Sequence, residues 1–199
     1  GEGAIRCLDQ NNKWSLVYQE DLAEDKRRKP NDLVVDRSGG VYFTLTGPGE
    51  VVYVSPQGKA QTVASEVQTP NGLILSPDEK TLYVSEYVPK KILSFKVGKN
   101  GALNAKKLFA KMDDGQPDLK GADGMCVDRV GNVYCAGPKD IWIWDSKGKL
   151  LDKIICLERA VNCAFGGTQL RDLYLSGFGG VYVQRMKVSG VPSQPPAEW

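Results

Sequence analysis

One phrase occurs four times in this chain, and it constrains the fold more than any single residue count does. Each copy is an Asn or Asp anchor, a short apolar run, a polar turn, and a second apolar run that ends on or near a Tyr. The copies run Asn31-Asp-Leu-Val-Val-Asp36-Arg-Ser-Gly39-Gly-Val-Tyr42, Asn71-Gly-Leu-Ile-Leu-Ser-Pro77-Asp78-Glu-Lys-Thr-Leu-Tyr83, Asp123-Gly-Met-Cys-Val-Asp128-Arg-Val-Gly131-Asn-Val-Tyr134 and Asn162-Cys-Ala-Phe-Gly166-Gly-Thr-Gln-Leu-Arg-Asp-Leu-Tyr174. The Tyr follows its anchor by eleven or twelve residues each time, and the anchors recur at 31, 71, 123 and 162. That interval is close to the roughly 40–50 residues of a propeller blade.

Each phrase reads as a hairpin, because β-branched and aromatic residues flank turn chemistry such as Asp-Arg-Ser-Gly-Gly or Ser-Pro-Asp-Glu-Lys. After each of the first three comes a second hairpin: Val51–Val54 with Gln57-Gly58, Ile92–Phe95 with Lys99-Asn100-Gly101, and Ile141–Trp144 with Ser146-Lys147-Gly148. Two hairpins make a four-stranded blade, so the fold class is all-β, a β-propeller with about four and a half blades in residues 1–191. Residues 4–18 read as an outer hairpin without its inner one. Two expectations follow: either Gly180–Lys187 pairs with residues 4–18, or the ring continues in roughly 80–100 further N-terminal residues. The Pro-rich stretch 192–199 reads as an extended or disordered tail. Two segments, Leu119–Gly124 and Ala160–Cys163, are candidates for a short helical turn.

Composition narrows the chemistry. The chain has 199 residues and not one histidine, which excludes Ser-His-Asp and Cys-His nucleophiles, imidazole acid–base catalysis and His-ligated metals. A formal charge of +2 is too weak a field to point to nucleic acid or to an acidic membrane, and no apolar run approaches the roughly 20 residues of a membrane span. Five cysteines, at 7, 126, 135, 156 and 163, form no C-x-x-C pair. They read as buried small hydrophobes, with Cys126 and Cys135 placed to face each other across one hairpin. The chain opens Gly1-Glu2-Gly3-Ala4, without Met or a signal-peptide pattern, and the compartment stays open.

The first strand of a propeller blade lines the central channel, so Asn31, Asn71, Asp123 and Asn162 converge near one end of the axis. One carboxylate and several amides are oxygen donors suited to a hard cation. The plain alternative is that Pro-Asn-Gly and Ala-Asp-Gly are turns whose side chains cap their own backbone.

In their order and spacing, four stretches resemble the SMP-30/gluconolactonase/LRE-like hydrolases, six-bladed propellers with a divalent metal in the channel. They are Lys29-Pro30-Asn31-Asp32 before Gly40–Thr44, Pro70-Asn71-Gly72-Leu73 before Ser76–Ser85, Ala122-Asp123-Gly124-Met125 before Gly131–Tyr134, and Asn162–Gly167. The resemblance implies that Asn71 and Asp123 are metal ligands and that Asn31 lies near the ion and the substrate. It implies a single divalent ion, Ca²⁺ first, with Zn²⁺, Mg²⁺ and Mn²⁺ as alternatives. The family's remaining ligand is a Glu of the first blade, and Glu2 lacks the context to be assigned to it. Lys29 stands where the family often has Arg, and meets substrate oxygens unless Glu24–Lys29 is simply a solvated loop. Leu45 and the short Thr46–Gly49 loop replace a longer lid with an Asp. Asp113, Asp114 and Asp118 either tune the field near Asp123 or are plain surface.

The implied reaction is hydrolysis of a small-molecule sugar lactone. In it Asp123 accepts a proton from the attacking water, while Asn31 and Asn71 orient substrate oxygens. A propeller that binds a ligand or protein without turnover is the rival reading, and a broader esterase or phosphotriesterase differs in substrate only.

Overall fold

The computed structural model describes residues 3–113, 115, 119 and 121–192. Among the described residues seventeen strands build five antiparallel sheets. The hairpin β1 (Ala4–Leu8) and β2 (Trp14–Gln19) comes first. Three four-stranded sheets follow in simple meander order. These are β3 (Leu33–Val35), β4 (Val41–Leu45), β5 (Glu50–Val54) and β6 (Ala60–Ala64), then β7 (Pro70–Leu75), β8 (Thr81–Glu86), β9 (Lys91–Val97) and β10 (Leu103–Lys111), then β11 (Met125–Val127), β12 (Val133–Ala136), β13 (Ile141–Trp144) and β14 (Leu150–Ile154). The last sheet holds β15 (Ala160–Gly166), β16 (Asp172–Gly177) and β17 (Val181–Arg185). This is the expected β-propeller of four-stranded blades.

The repeated Tyr residues all fall on second strands; Tyr42, Tyr83 and Tyr134 are buried in the core, whereas Tyr174 on the last sheet is exposed. Alternation with a period of two puts one face of each sheet on its neighbour, so the apolar clusters lie between blades. Tyr42, Tyr53, Leu75, Leu82 and Phe95 fill the space between the first two sheets, and Tyr83, Met125, Val133 and Trp144 the next. The β1–β2 hairpin covers the free face of the β3–β6 sheet, with Tyr18 against Phe43 at a ring separation of 4.7 Å.

The Asp residues inside the phrases are turn builders. Asp36 accepts the N–H groups of Ser38 and Gly40, and Asp128 those of Val130 and Asn132. Asp9 and Asp145 repeat the same two-and-four-residue pattern. These Asx turns close hairpins whose following Gly residues, Gly39 and Gly131, take a φ of 90°.

Three expectations and one alternative reading need correcting. Gly180–Lys187 does not meet residues 4–18, because β17 pairs with β16, Tyr174 opposite Val183. Ala160–Cys163 is not a helical turn but the start of β15, and Pro70-Asn71-Gly72 is not a turn but the start of β7. Cys126 lies opposite Tyr134, and Cys135 opposite Met125. The thiol that Cys126 meets is Cys163 of the next sheet, 3.5 Å away, and all five cysteines are free. No helix among the described residues is long and apolar enough to cross a membrane.

Candidate functional site

The inner strands β3, β7, β11 and β15 stand side by side around a common axis. A cavity of 290 Å³ runs between them, lined by Asp32, Leu73, Met125 and Asn162 among others. Every inner strand runs the same way, so the four anchors gather at one end. At the opposite end Gly190 bridges to Asp128, bringing the C-terminal stretch across the axis.

Side-chain hydroxyls on second strands tie each sheet to the next at the anchor. Thr44 Oγ1 donates to the Asn71 carbonyl at 2.6 Å, and Ser85 Oγ to the Asp123 carbonyl at 2.9 Å. Both residues are fully buried and stand two places after the repeated Tyr. The third repeat has Ala136 there, and the link becomes backbone only, from the Gly124 N–H to the Val161 carbonyl. A glycine follows the second and third anchors for a packing reason. A Cβ on Gly72 would run into the Asp123 carbonyl and lie 2.9 Å from the Gly124 Cα, and one on Gly124 would run into the Asn162 amide.

The Asp123 side chain is 17% exposed, and its Oδ2 accepts a hydrogen bond from Arg159 Nη2 at 2.9 Å. Burial pushes the Asp123 carboxyl above the usual aspartate range. The Arg159 guanidinium, the Gly124 N–H and the Asn71 side-chain amide face it and pull the other way without cancelling the effect. Asp32 is raised as well, first by burial and further by the negative charge of Asp123, with the N–H groups of Leu33 and Leu73 opposing. Two carboxylates thus share one desolvated mouth.

The structure therefore brings Asn71 and Asp123 together, with Arg159 on the latter. Asn31 precedes β3, donates its N–H to the Thr44 carbonyl at 2.9 Å and leaves its side chain exposed. Lys29 is exposed on the segment leading to Asn31, and no ion pair or hydrogen bond among the described residues ties it to Asp123 or Asn71. Asn162 turns its Oδ1 back to the Cys163 N–H at 2.8 Å, so it caps its own backbone. Leu45 ends β4 and is buried, and the tight turn after it closes with the Gly49 N–H on the Leu45 carbonyl. Glu2, Asp114 and Asp118 lie outside the described residues, and Asp113 is exposed. Sequence reasoning missed Arg159, which has no counterpart in the phrase, and gave no role to Asp32, which stood in plain view beside Asn31.

A model of the SMP-30/gluconolactonase/LRE-like region matches residues 1–178. The chain belongs to this family. A gluconolactonase of Zymomonas mobilis is 30% identical over 96% of this chain and 59% of its own length. The solved gluconolactonase of Xanthomonas campestris superposes with a TM-score of 0.76 at 31% identity, covering 92% of this chain and 65% of that one. The calcium-binding regucalcin of Agrobacterium tumefaciens shares the fold, with a TM-score of 0.81 at 16% identity, over the whole of this chain and 74% of its own. The chain thus spans about three-fifths of the curated gluconolactonase it matches.

The donor set suits a hard divalent cation. Asp123 and Asn71 bring a carboxylate and a side-chain amide together, Asp32 adds a second negative charge nearby, the chain has no imidazole, and burial holds the one nearby thiol, Cys135 at 3.6 Å from the Asp123 carbonyl, protonated. Among the described residues no cluster of three acidic or cysteine side chains forms. The positive charge that now balances Asp123 is a guanidinium.

Proposed function

We propose that this family member hydrolyses a sugar lactone, with Asp123 and Asn71 holding one divalent ion, Ca²⁺ first, at the mouth of the inner strands. The observation that carries the reading is the desolvated Asp123 carboxyl facing the Asn71 amide, in a chain 30% identical to a gluconolactonase. A divalent ion bound there supplies Lewis acidity to the lactone carbonyl and makes water more acidic.

The chain's own groups do the rest. Asp123, whose carboxyl burial already makes more basic than a free aspartate, takes the proton of the attacking water as its oxygen bonds to the carbonyl carbon. The ring C–O bond then breaks, and the proton returns to the leaving alkoxide, giving the open hydroxy acid. Asn71 orients the carboxylate. Asn31, exposed at the same end, and Lys29 beside it are the groups assigned to the ring hydroxyls, since an amide and an ammonium both donate to oxygen. Histidine plays no part in any of these steps.

A non-catalytic binding propeller is favoured by one observation, the ion pair that occupies Asp123. Glucono-δ-lactone hydrolysis followed by pH-stat, with and without chelator, separates the two. Calcium-dependent turnover above the spontaneous rate supports the lactonase, and a rate indistinguishable from buffer removes it.

A further inference from the structure

Arg159 is held in a way that structural packing alone does not explain. Its Nη2 sits on Asp123 Oδ2 at 2.9 Å, yet its Nε is buried and is the one buried side-chain nitrogen or oxygen among the described residues without a hydrogen-bond partner. A buried N–H left unpaired is costly, and native structures rarely keep one without a reason. The rotamer is held against that cost by the ion pair and by two rings. The centre of the Tyr87 ring lies 5.3 Å from the guanidinium carbon, and that of the Phe178 ring lies 5.9 Å from it.

Phe178 is 78% exposed, so the outer wall of this slot is a solvent-facing ring. It precedes the Gly179 turn, whose N–H is gripped by the Glu158 carboxylate at 2.9 and 3.0 Å. Glu158 also accepts the Tyr182 hydroxyl at 2.9 Å. The turn is therefore anchored next to Arg159 in sequence, while the ring itself stands in solvent. Arg159 has a route to water that needs no rearrangement of the sheets.

We infer that Arg159 is a built-in counter-cation of Asp123 that competes with a divalent ion for the carboxylate and so sets the affinity of the site. The inference rests on the metal reading above. Two cations on one carboxylate repel, so an ion bound to Asp123 weakens the hold on the guanidinium. On leaving, Arg159 regains hydration at Nε, which lowers the cost of its displacement. Arg159 is then a positioning residue, acting on the metal site through Asp123.

The test is calorimetric titration with Ca²⁺ alone, at low ionic strength, on the wild-type protein and on Arg159→Met and Arg159→Lys. Met keeps the length and the apolar stem beside the two rings but removes the charge, and Lys keeps a competing charge. Calcium should bind Arg159→Met about tenfold more tightly, the scale of a lost charge-assisted hydrogen bond, with Arg159→Lys close to wild type. The thermal midpoint of Arg159→Met should fall in calcium-free buffer and rise further than wild type when calcium is added. Equal or weaker calcium binding by a folded Arg159→Met overturns the inference while leaving the lactonase reading intact. If neither wild type nor variant binds calcium, the metal reading falls too, which the pH-stat assay registers separately. Should Arg159→Met fail to fold, Phe178→Ala at the exposed outer wall must tighten calcium binding two- to threefold, and an unchanged affinity there also overturns the inference.

Discussion

Asp123 and Asn162 stand at the same phase of the same repeat and do different things, which makes them the sharpest pair of side chains to compare. Asp123→Asn keeps the shape but removes the charge proposed to hold a cation and the base proposed to take the proton. Hydrolysis should fall at least ~100-fold in excess calcium, with folding verified by circular dichroism. Asn162→Ala loses only a local bond to the Cys163 N–H, so initial rates should stay near wild type while stability drops by ~1 kcal/mol in urea. Near-normal turnover by a folded Asp123→Asn would make Asp123 a structural residue. The repeat made all four anchors legible because phase survives in sequence. It could not separate Asp123 from Asn162, since what separates them is which neighbour each side chain faces. Arg159 stayed invisible for the same reason: it lies 36 residues from its partner, in a loop with no repeat to flag it.

At the level of the strand, the hairpins were readable from alternation and turn chemistry, and the second strands even carried the code for joining sheets. Thr44 and Ser85 two places after the repeated Tyr are ordinary strand residues until their hydroxyls are seen on the carbonyls of Asn71 and Asp123. The Gly after the anchor separates the strand reading from its turn alternative. Asn-Gly signals a turn locally, but Gly72 sits within a strand because its neighbour's backbone leaves no space for a Cβ. Gly72→Ala should therefore destabilise by ~2 kcal/mol through overpacking against the Asp123 carbonyl, where a turn glycine with negative φ would tolerate it. Ser85→Ala should cost ~1–2 kcal/mol by removing the hydroxyl proton that serves the Asp123 carbonyl at 2.9 Å and leans toward that of Gly72 at 3.2 Å. Chemical denaturation of both variants checks the pair. A neutral Gly72→Ala would mean that the inner strands approach less closely than described.

Across the whole molecule, the sheet count and meander order followed from the repeat, whereas the pairing of the terminal segments did not. Both β17 and the β1–β2 hairpin carry short alternating patterns that fit any open edge or face, and register is set by packing that a single sequence does not display. The hairpin is fastened by charge as well as by Tyr18. Arg28 bridges Glu20, at the end of the hairpin, to Glu50 at the start of β5. Burial pushes the Glu20 carboxyl up, but the backbone and guanidinium N–H groups of Arg28 outweigh it and hold Glu20 below its ordinary 4.5. A depressed carboxyl stabilises the fold above its unfolded value and loses that contribution as pH falls through the folded one. Glu20→Gln should thus cost roughly 0.5–1 kcal/mol at pH 7, screened because Arg28 is 36% exposed, and progressively less as pH falls through the folded value. Urea titrations across that range check the sign, and a difference that grows in acid would contradict it. The hydroxyl ties between sheets have a further consequence. They grip the carbonyls of Asn71 and Asp123 and leave the side chains alone, so scaffold and reactivity can be altered independently. Such a frame lets mutation exchange the group at an anchor, as Asn71 against Asp123 already displays, without renegotiating how the blades fit together.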